Sequence, residues 1–309
     1  MQTTDNPFAP ILLFTYNRPT HTRRLVESLL RNAEAKDSHL IVYSDAPRDD
    51  AARQAVDDVR RYLHTLDEGF GQVDIVERTE NWGLAKSIIS GVTEQVERYG
   101  RVIVLEDDLV LSPYFLRFMN DALETYKDNP HVGHIQACDF TGDPALPPTF
   151  LIGWTGSWGW ATWRRAWQLF NPDGRALLDE LQRRGLTHRF DFDGAYPYTR
   201  MLRRQVEGRN NSWAIRWNAS LFLAGVLSLN VGRSLVQNGG FDGSGTHCGG
   251  GGLYRSTLWM EPLPVTPITP TVEDEAARRC IARYYRRHFG FWAKAIRRIK
   301  RTLRGDFGR

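Results

Sequence analysis

Short apolar runs alternate with amphipathic segments through the first 136 residues, and this rhythm narrows the possible folds more than any other feature. Ile11–Tyr16 reads as a strand, and Pro19 opens a helix with Leu25, Leu29 and Leu30 on one face. Leu40–Ser44 is a second strand, followed by a charged helix near Asp49–Leu66. Val73–Glu77 is a third, and Leu84–Tyr99 is helical, with Ile88, Val92 and Val96 at helical spacing. Val102–Leu105 is the fourth strand, Pro113–Tyr126 the next helix, and Val132–Gln136 a fifth strand. Such alternation predicts an α/β fold with a mostly parallel, doubly wound sheet flanked by helices.

The character changes after residue 137. Gly153–Trp160 reads as a loop with indoles at Trp154, Trp158 and Trp160, and Asn238–Gly252 as a Gly-rich loop containing His247. Pro262–Pro270 reads as a linker, and Glu273–Leu303 as one or two basic amphipathic helices. The expected organisation is an α/β half over 1–136, a second half of the same domain over 137–261, and a linker with a helical tail over 262–309.

Charge is divided along the chain. Residues 278–309 hold 12 Lys and Arg against one acid, Asp306, whereas the whole chain of 309 residues carries only +4. The body is therefore acidic and the tail strongly basic. Phe289, Phe291, Trp292, Ile296 and Ile299 beside the tail's cations suit an anionic membrane surface. A solvated helical end is the plainer reading. Nucleic acid is not expected, because the acidic body shows no basic patch in sequence. Three cysteines are too few for a disulfide framework and lack zinc spacing. No signal peptide and no membrane-spanning apolar run is evident, so the expected location is cytoplasmic, with a peripheral place at the inner membrane face.

Glu106-Asp107-Asp108 closes the fourth strand. Three adjacent carboxylates repel one another unless a cation binds there. Hard oxygen ligands suit Mg²⁺ or Mn²⁺, and the carboxyl ends of strands in open α/β sheets are where such ligands sit. An acidic turn with Asp capping the next helix is the alternative. Three more polar turns fall at predicted strand or helix ends. Thr15-Tyr16-Asn17-Arg18-Pro19 offers backbone N–H groups and an Arg to an anion. Asp45 can accept a hydrogen bond from a base or ribose, or simply form a turn. Asn81-Trp82-Gly83-Leu84-Ala85-Lys86 allows close backbone approach at Gly83 and brings a cation at Lys86. The three indoles can stack on sugars or form a small core. His247 can complete a metal shell with Asp108 or be structural.

Together these residues resemble nucleotide-sugar glycosyltransferases of the GT-A fold. They are Phe14–Pro19, Asp45, Asn81–Leu84, Glu106–Leu109, Ser157–Trp163 and Gly240–Cys248. The likeness is to a bacterial branch related to the eukaryotic N-acetylglucosaminyltransferase I group, and it covers roughly residues 9–250. It implies that Asp108 coordinates Mn²⁺ or Mg²⁺ on the donor diphosphate, with His247 nearby. Asp107 and Glu106 would hold the ribose and its neighbours. Arg18 and Asp45 would contact the base, with Thr15, Asn17, Asn81, Gly83 and Lys86 in the same donor site. Trp158, Trp160 and Trp213 would line the acceptor side.

An inverting enzyme also needs a carboxylate to take the acceptor's proton. The resemblance places an acid just after a Trp, but here Trp213 is followed by Ala214. The base then falls to Asp191, Asp193 or Asp242, with Asp193 preferred, although an N-cap role before a helix over Ala195–Glu207 competes. The expected activity is metal-dependent transfer of a sugar from a nucleotide diphosphate to a cell-surface or lipid-linked glycan. The alternatives are a sugar nucleotidyltransferase and a non-catalytic nucleotide-sugar binder.

Overall fold

The computed structural model describes residues 6–66, 68–240 and 256–289. β1 (Ile11–Thr15), α1 (Pro19–Leu30), β2 (His39–Ser44), α2 (Asp50–Leu63), β3 (Gln72–Glu77), α3 (Gly83–Tyr99) and β4 (Arg101–Glu106) alternate as the pattern requires. β5 (Leu109–Leu111), α4 (Phe115–Thr125) and β6 (Val132–Gln136) follow. The later part contains β7 (Thr149–Ile152), β8 (Trp160–Trp163), α5 (Arg164–Trp167), α6 (Gly174–Arg183), α7 (Thr187–Phe190) and α8 (Tyr198–Val206). α9 (Trp213–Leu223), β9 (Leu227–Val231), β10 (Val236–Asn238) and α10 (Glu275–Phe289) complete it.

Eight strands form one sheet in the order β3-β2-β1-β4-β8-β6-β9-β7. β1 to β4 are mutually parallel, β8 runs antiparallel between β4 and β6, and β7 is an antiparallel edge. β5 and β10 pair as a separate antiparallel ribbon. Strands from both halves of the chain thus share one sheet.

The unbroken apolar runs reflect burial on both faces. Ile11 and Leu13 lie in one layer with Leu25, Val26 and Leu29 of α1, while Leu12 and Phe14 lie in the other with Ala85, Ile88 and Val92 of α3. β4 divides in the same way, Ile103 and Leu105 to the first layer and Val102 and Val104 to the second. Each such side chain contributes about 1.5–3 kcal/mol on leaving water. α3 sits close to the sheet because Gly91 has no side chain. A Cβ there would stand 2.9 Å from the stacked rings of Phe14 and Tyr43.

Two tail expectations are corrected. The Pro-rich segment does not behave as a free linker. Leu263 is buried in the first layer, and the Ile268 N–H donates to the Tyr126 hydroxyl at 3.0 Å. The helix that follows is docked, with Ala277, Ile281, Ala282 and Tyr285 in a core shared with α6 and α8. Phe289 packs on Tyr196 and Tyr285, so its ring faces the body rather than a membrane. Phe291, Trp292, Ile296 and Ile299 lie outside the described residues. Among the described residues no helix is long and apolar enough to cross a membrane.

Candidate functional site

The carboxyl ends of β1 and β4 are neighbours because the two strands pair in parallel, with Phe14 opposite Glu106. That register brings the turn after β1 over the carboxylates after β4. Arg18 Nη2 donates to Asp107 Oδ1 at 2.7 Å, and Arg18 Nη1 to Asp108 Oδ2 at 3.3 Å. Pro19 at the first position of α1 holds Arg18 at the helix entrance. Asn17 is half-buried beside it.

Burial dominates the titration of the cluster. It pushes the Asp107 carboxyl up to about 7, with Arg18 opposing and Asp108 adding to the rise. Burial, then the charges of Asp108 and Asp107, raises Glu106 well above the usual carboxylate range. Asp108 Oδ1 is buried without a hydrogen-bond partner. The ribbon of β5 and β10 closes over this residue. The Gly239 N–H donates to the Asp108 carbonyl at 2.7 Å, and a Cβ on Gly240 would stand 2.4 Å from Asp108 Oδ2.

The end of β2 is tied to the start of α3. Asp45 Oδ1 accepts from the Trp82 N–H at 2.9 Å and Asp45 Oδ2 from the Gly83 N–H at 2.8 Å. Asn81 Nδ2 donates to the Ala46 carbonyl at 2.7 Å. Gly83 has φ +70°, a conformation that favours glycine. Asp45 therefore satisfies backbone donors at a helix N-terminus and retains part of its acceptor capacity.

Arg78, one residue beyond β3, was not singled out from the sequence. Its guanidinium lies 3.8 Å from the Trp82 ring centroid, with Lys86 Nζ 4.1 Å from the same ring. Arg78 Nε and Nη2 are buried without partners, as is Thr15 Oγ1 at the end of β1. Unpaired buried polar atoms lie at or just after the ends of β1, β3 and β4 at the same edge of the sheet, which points to ligand recognition there. The signal for Arg78 was present, since it follows β3 as Asp45 follows β2.

Two acceptor assignments are corrected. Trp160 is 0% exposed and stacks between His134 and Trp213, and Trp213 is also buried. Neither indole can face a sugar. Trp158 is half-buried and packs on both apolar clusters, whereas Trp154 is buried and donates to the Tyr198 hydroxyl at 2.8 Å. The Trp-rich loop is chiefly a small core.

The proposed helix cap is corrected as well. Asp193 has φ +56° and precedes α8, whose N-cap is Pro197. Asp193 Oδ2 lies 3.3 Å from Arg278 Nε. Asp191 Oδ1 accepts from the Thr199 N–H at 2.6 Å. Both carboxylates are thus engaged with α8 or α10. Ala214 sits in the first turn of α9, capped by Ser212. Asp242 and His247 lie outside the described residues.

The family model described as Glycosyl transferase family 2 matches residues 11–177, which spans β1, the carboxylates after β4 and the sheet as far as α6. The chain belongs to glycosyl transferase family 2. The chain has the mostly parallel α/β sheet flanked by helices of the GT-A fold. Among solved structures it is similar to S. aureus TarS, at 16% identity and a TM-score of 0.30, over 45% of this chain and 23% of that one. It is also similar to TarS residues 1–349, at 12% identity and a TM-score of 0.42, over 91% of this chain and 72% of that one. The chain spans less than a quarter of the longer TarS chain. No curated protein matches its sequence.

Proposed function

We propose that this enzyme transfers a sugar, with inversion and with a divalent cation, from a nucleotide diphosphate to a cell-surface or lipid-linked glycan. The observation that supports this most is the Arg18–Asp107–Asp108 cluster, together with the unpaired polar atoms of Thr15, Arg78 and Asp108 at the same end of the sheet. Arg78 and Trp82 form a flat cationic face for the base, and Arg18 brings charge to the phosphate side. What supports Mn²⁺ or Mg²⁺ is Asp108 Oδ1, a hard oxygen that is buried and unbonded; among the described residues no three His, Cys, Asp or Glu side chains converge as a complete ligand set. Asp108 would hold the metal, with Asp107 behind it. A bound cation supplies Lewis-acid stabilisation of the departing diphosphate.

With Asp191 and Asp193 engaged elsewhere, Asp242 becomes the preferred acceptor base. It lies two residues beyond Gly240, which packs on Asp108. Ala214 in the first turn of α9 keeps a second reading alive, a binder that holds the donor without turnover. An anionic membrane surface remains the proposed partner of the 278–309 tail, for which Arg279, Arg283, Arg286 and Arg287 are exposed on α10.

A panel of nucleotide sugars, with and without Mn²⁺, tests these readings by thermal shift and slow donor hydrolysis. Metal-dependent stabilisation by one donor, lost in Asp108→Ala, supports the transferase. Stabilisation without hydrolysis or transfer supports the binder.

A further inference from the structure

The corner between α8 and α9 carries a concentration of arginine in an otherwise acidic body. Arg200, Arg203, Arg204 and Arg209 line a cleft of about 380 Å³ whose only acid is Glu207. Glu207 pairs with Arg209 at 3.4 Å. Among the described residues no carboxylate comes within ion-pair distance of Arg200, Arg203 or Arg204, although Asp191 feels Arg203 at longer range. Basic residues in the last turn of α8 suit its helix dipole, which accounts for part of the pattern.

That account does not extend to Arg216. Arg216 lies in the first turn of α9, where the dipole disfavours a cation, and it is only 8% exposed. Its guanidinium meets neutral acceptors: the Ser212 carbonyl at 3.2 Å, the Pro172 carbonyl at 3.3 Å and Asn211 Oδ1 at 3.5 Å. These use three of its five N–H donors. Burial lowers its pKa, with no acid opposing. A desolvated cation without a counter-ion is costly unless an anion joins it.

Arg216 also lines a second cleft, of about 700 Å³, with Asn211 and with Lys86, Ser90, Thr93 and Glu94 of α3. Arg209 of the first and Asn211 of the second are separated by one residue, so their Cα atoms are within about 7 Å. Asn210 anchors this bend through Met201 and Ser212. At the far end, Lys86 rests on Trp82, whose N–H is held by Asp45 at the candidate donor site.

We propose that the α8–α9 corner is the track of an acidic acceptor glycan, one carrying carboxylate or phosphate groups along its length. The chain runs from Arg200–Arg209 past Arg216 to Lys86, where it meets the donor site. This rests on the glycosyltransferase reading above. A bilayer surface fits poorly, because Arg216 is recessed inside a groove that a flat surface cannot enter. A single-stranded nucleic acid would call for aromatic stacking platforms, and neither cleft is lined by an aromatic residue.

The test is calorimetry on the full chain with oligogalacturonate, oligoglycerol phosphate and a neutral maltooligosaccharide of equal length. The wild type, Arg203→Gln/Arg204→Gln and Arg216→Gln are compared. The expected result is binding of one or both acidic probes, none of the neutral one, and about tenfold weaker affinity in each variant. Should Arg216→Gln fail to fold, the exposed double variant decides. Equal binding of the neutral probe, acidic binding unaffected by the double substitution, or no acidic binding at all would overturn the proposal. So would binding confined to phosphatidylglycerol vesicles and lost in the double variant, which would make the partner a lipid surface. Donor thermal shift in parallel separates the two readings. If no nucleotide sugar stabilises the wild type while the double variant loses oligogalacturonate, the donor reading fails and the anionic track stands.

Discussion

Arg18 bridges Asp107 and Asp108, its Nη2 2.7 Å from Asp107 Oδ1 and its Nη1 3.3 Å from Asp108 Oδ2. One guanidinium thus compensates part of a three-carboxylate cluster that burial would otherwise force to stay protonated. Arg18→Ala should destabilise the chain by about 3 kcal/mol, the typical cost of leaving a buried charge pair half-broken. Thermal melts at neutral pH measure this, and an unchanged melting temperature would show that the bridge carries little stability.

The Asp107 carboxyl titrates at about 7 in the fold, against about 3.9 in an unfolded chain. The folded state therefore holds this proton more tightly than the unfolded state. Its contribution is complete below pH 4 and is lost as pH rises toward 7, by on the order of 4 kcal/mol. Asp107→Asn should flatten this part of the stability profile. Melts from pH 4 to 8 on both proteins give the difference directly.

A Cβ at position 240 collides with Asp108 Oδ2. Gly240→Ala should displace that carboxylate and lower kcat/KM by about tenfold or more, roughly 1.4 kcal/mol, while leaving the melting temperature nearly unchanged. Steady-state kinetics beside a thermal melt would distinguish site displacement from general unfolding.

Arg78 stacks on Trp82 with two unpaired buried nitrogens. Arg78→Ala should raise the donor KM by about tenfold with little change in kcat, as expected for binding energy shared by ground and transition states. A fall in kcat at unchanged KM would place Arg78 in the chemical step instead.

Trp160 and Trp158 should separate cleanly. Trp160→Ala empties a fully buried site and should cost about 3–5 kcal/mol. Trp158→Ala should cost far less stability and instead raise the acceptor KM. Equal destabilisation by both would place Trp158 in the core as well.

The first half of the fold was legible because its strands are apolar on both faces and its helices are amphipathic, both local patterns. Residues at the ends of β1, β2 and β4 could be picked out for the same reason. Arg78 was missed although its position after β3 is equivalent. The later strands are short, and β8 enters the sheet between β4 and β6 in the opposite direction, through pairings distant in sequence. The indoles show why composition alone misleads. Trp158 and Trp160 are two residues apart, yet only Trp160 lies wholly in the core.

The sequence by itself determined the alternating α/β layout, the carboxylates after β4 and the cation before α1, since each depends on neighbours within a few positions. Only the tertiary structure decided that Arg18 reaches Asp107, that Asp193 is held by α10 rather than capping a helix, and that Arg216 is buried without a carboxylate. The first two depend on parallel register and helix docking between segments roughly 90 residues apart, the third on the docking of α9 against Pro172. Local periodicity carries no information about such contacts.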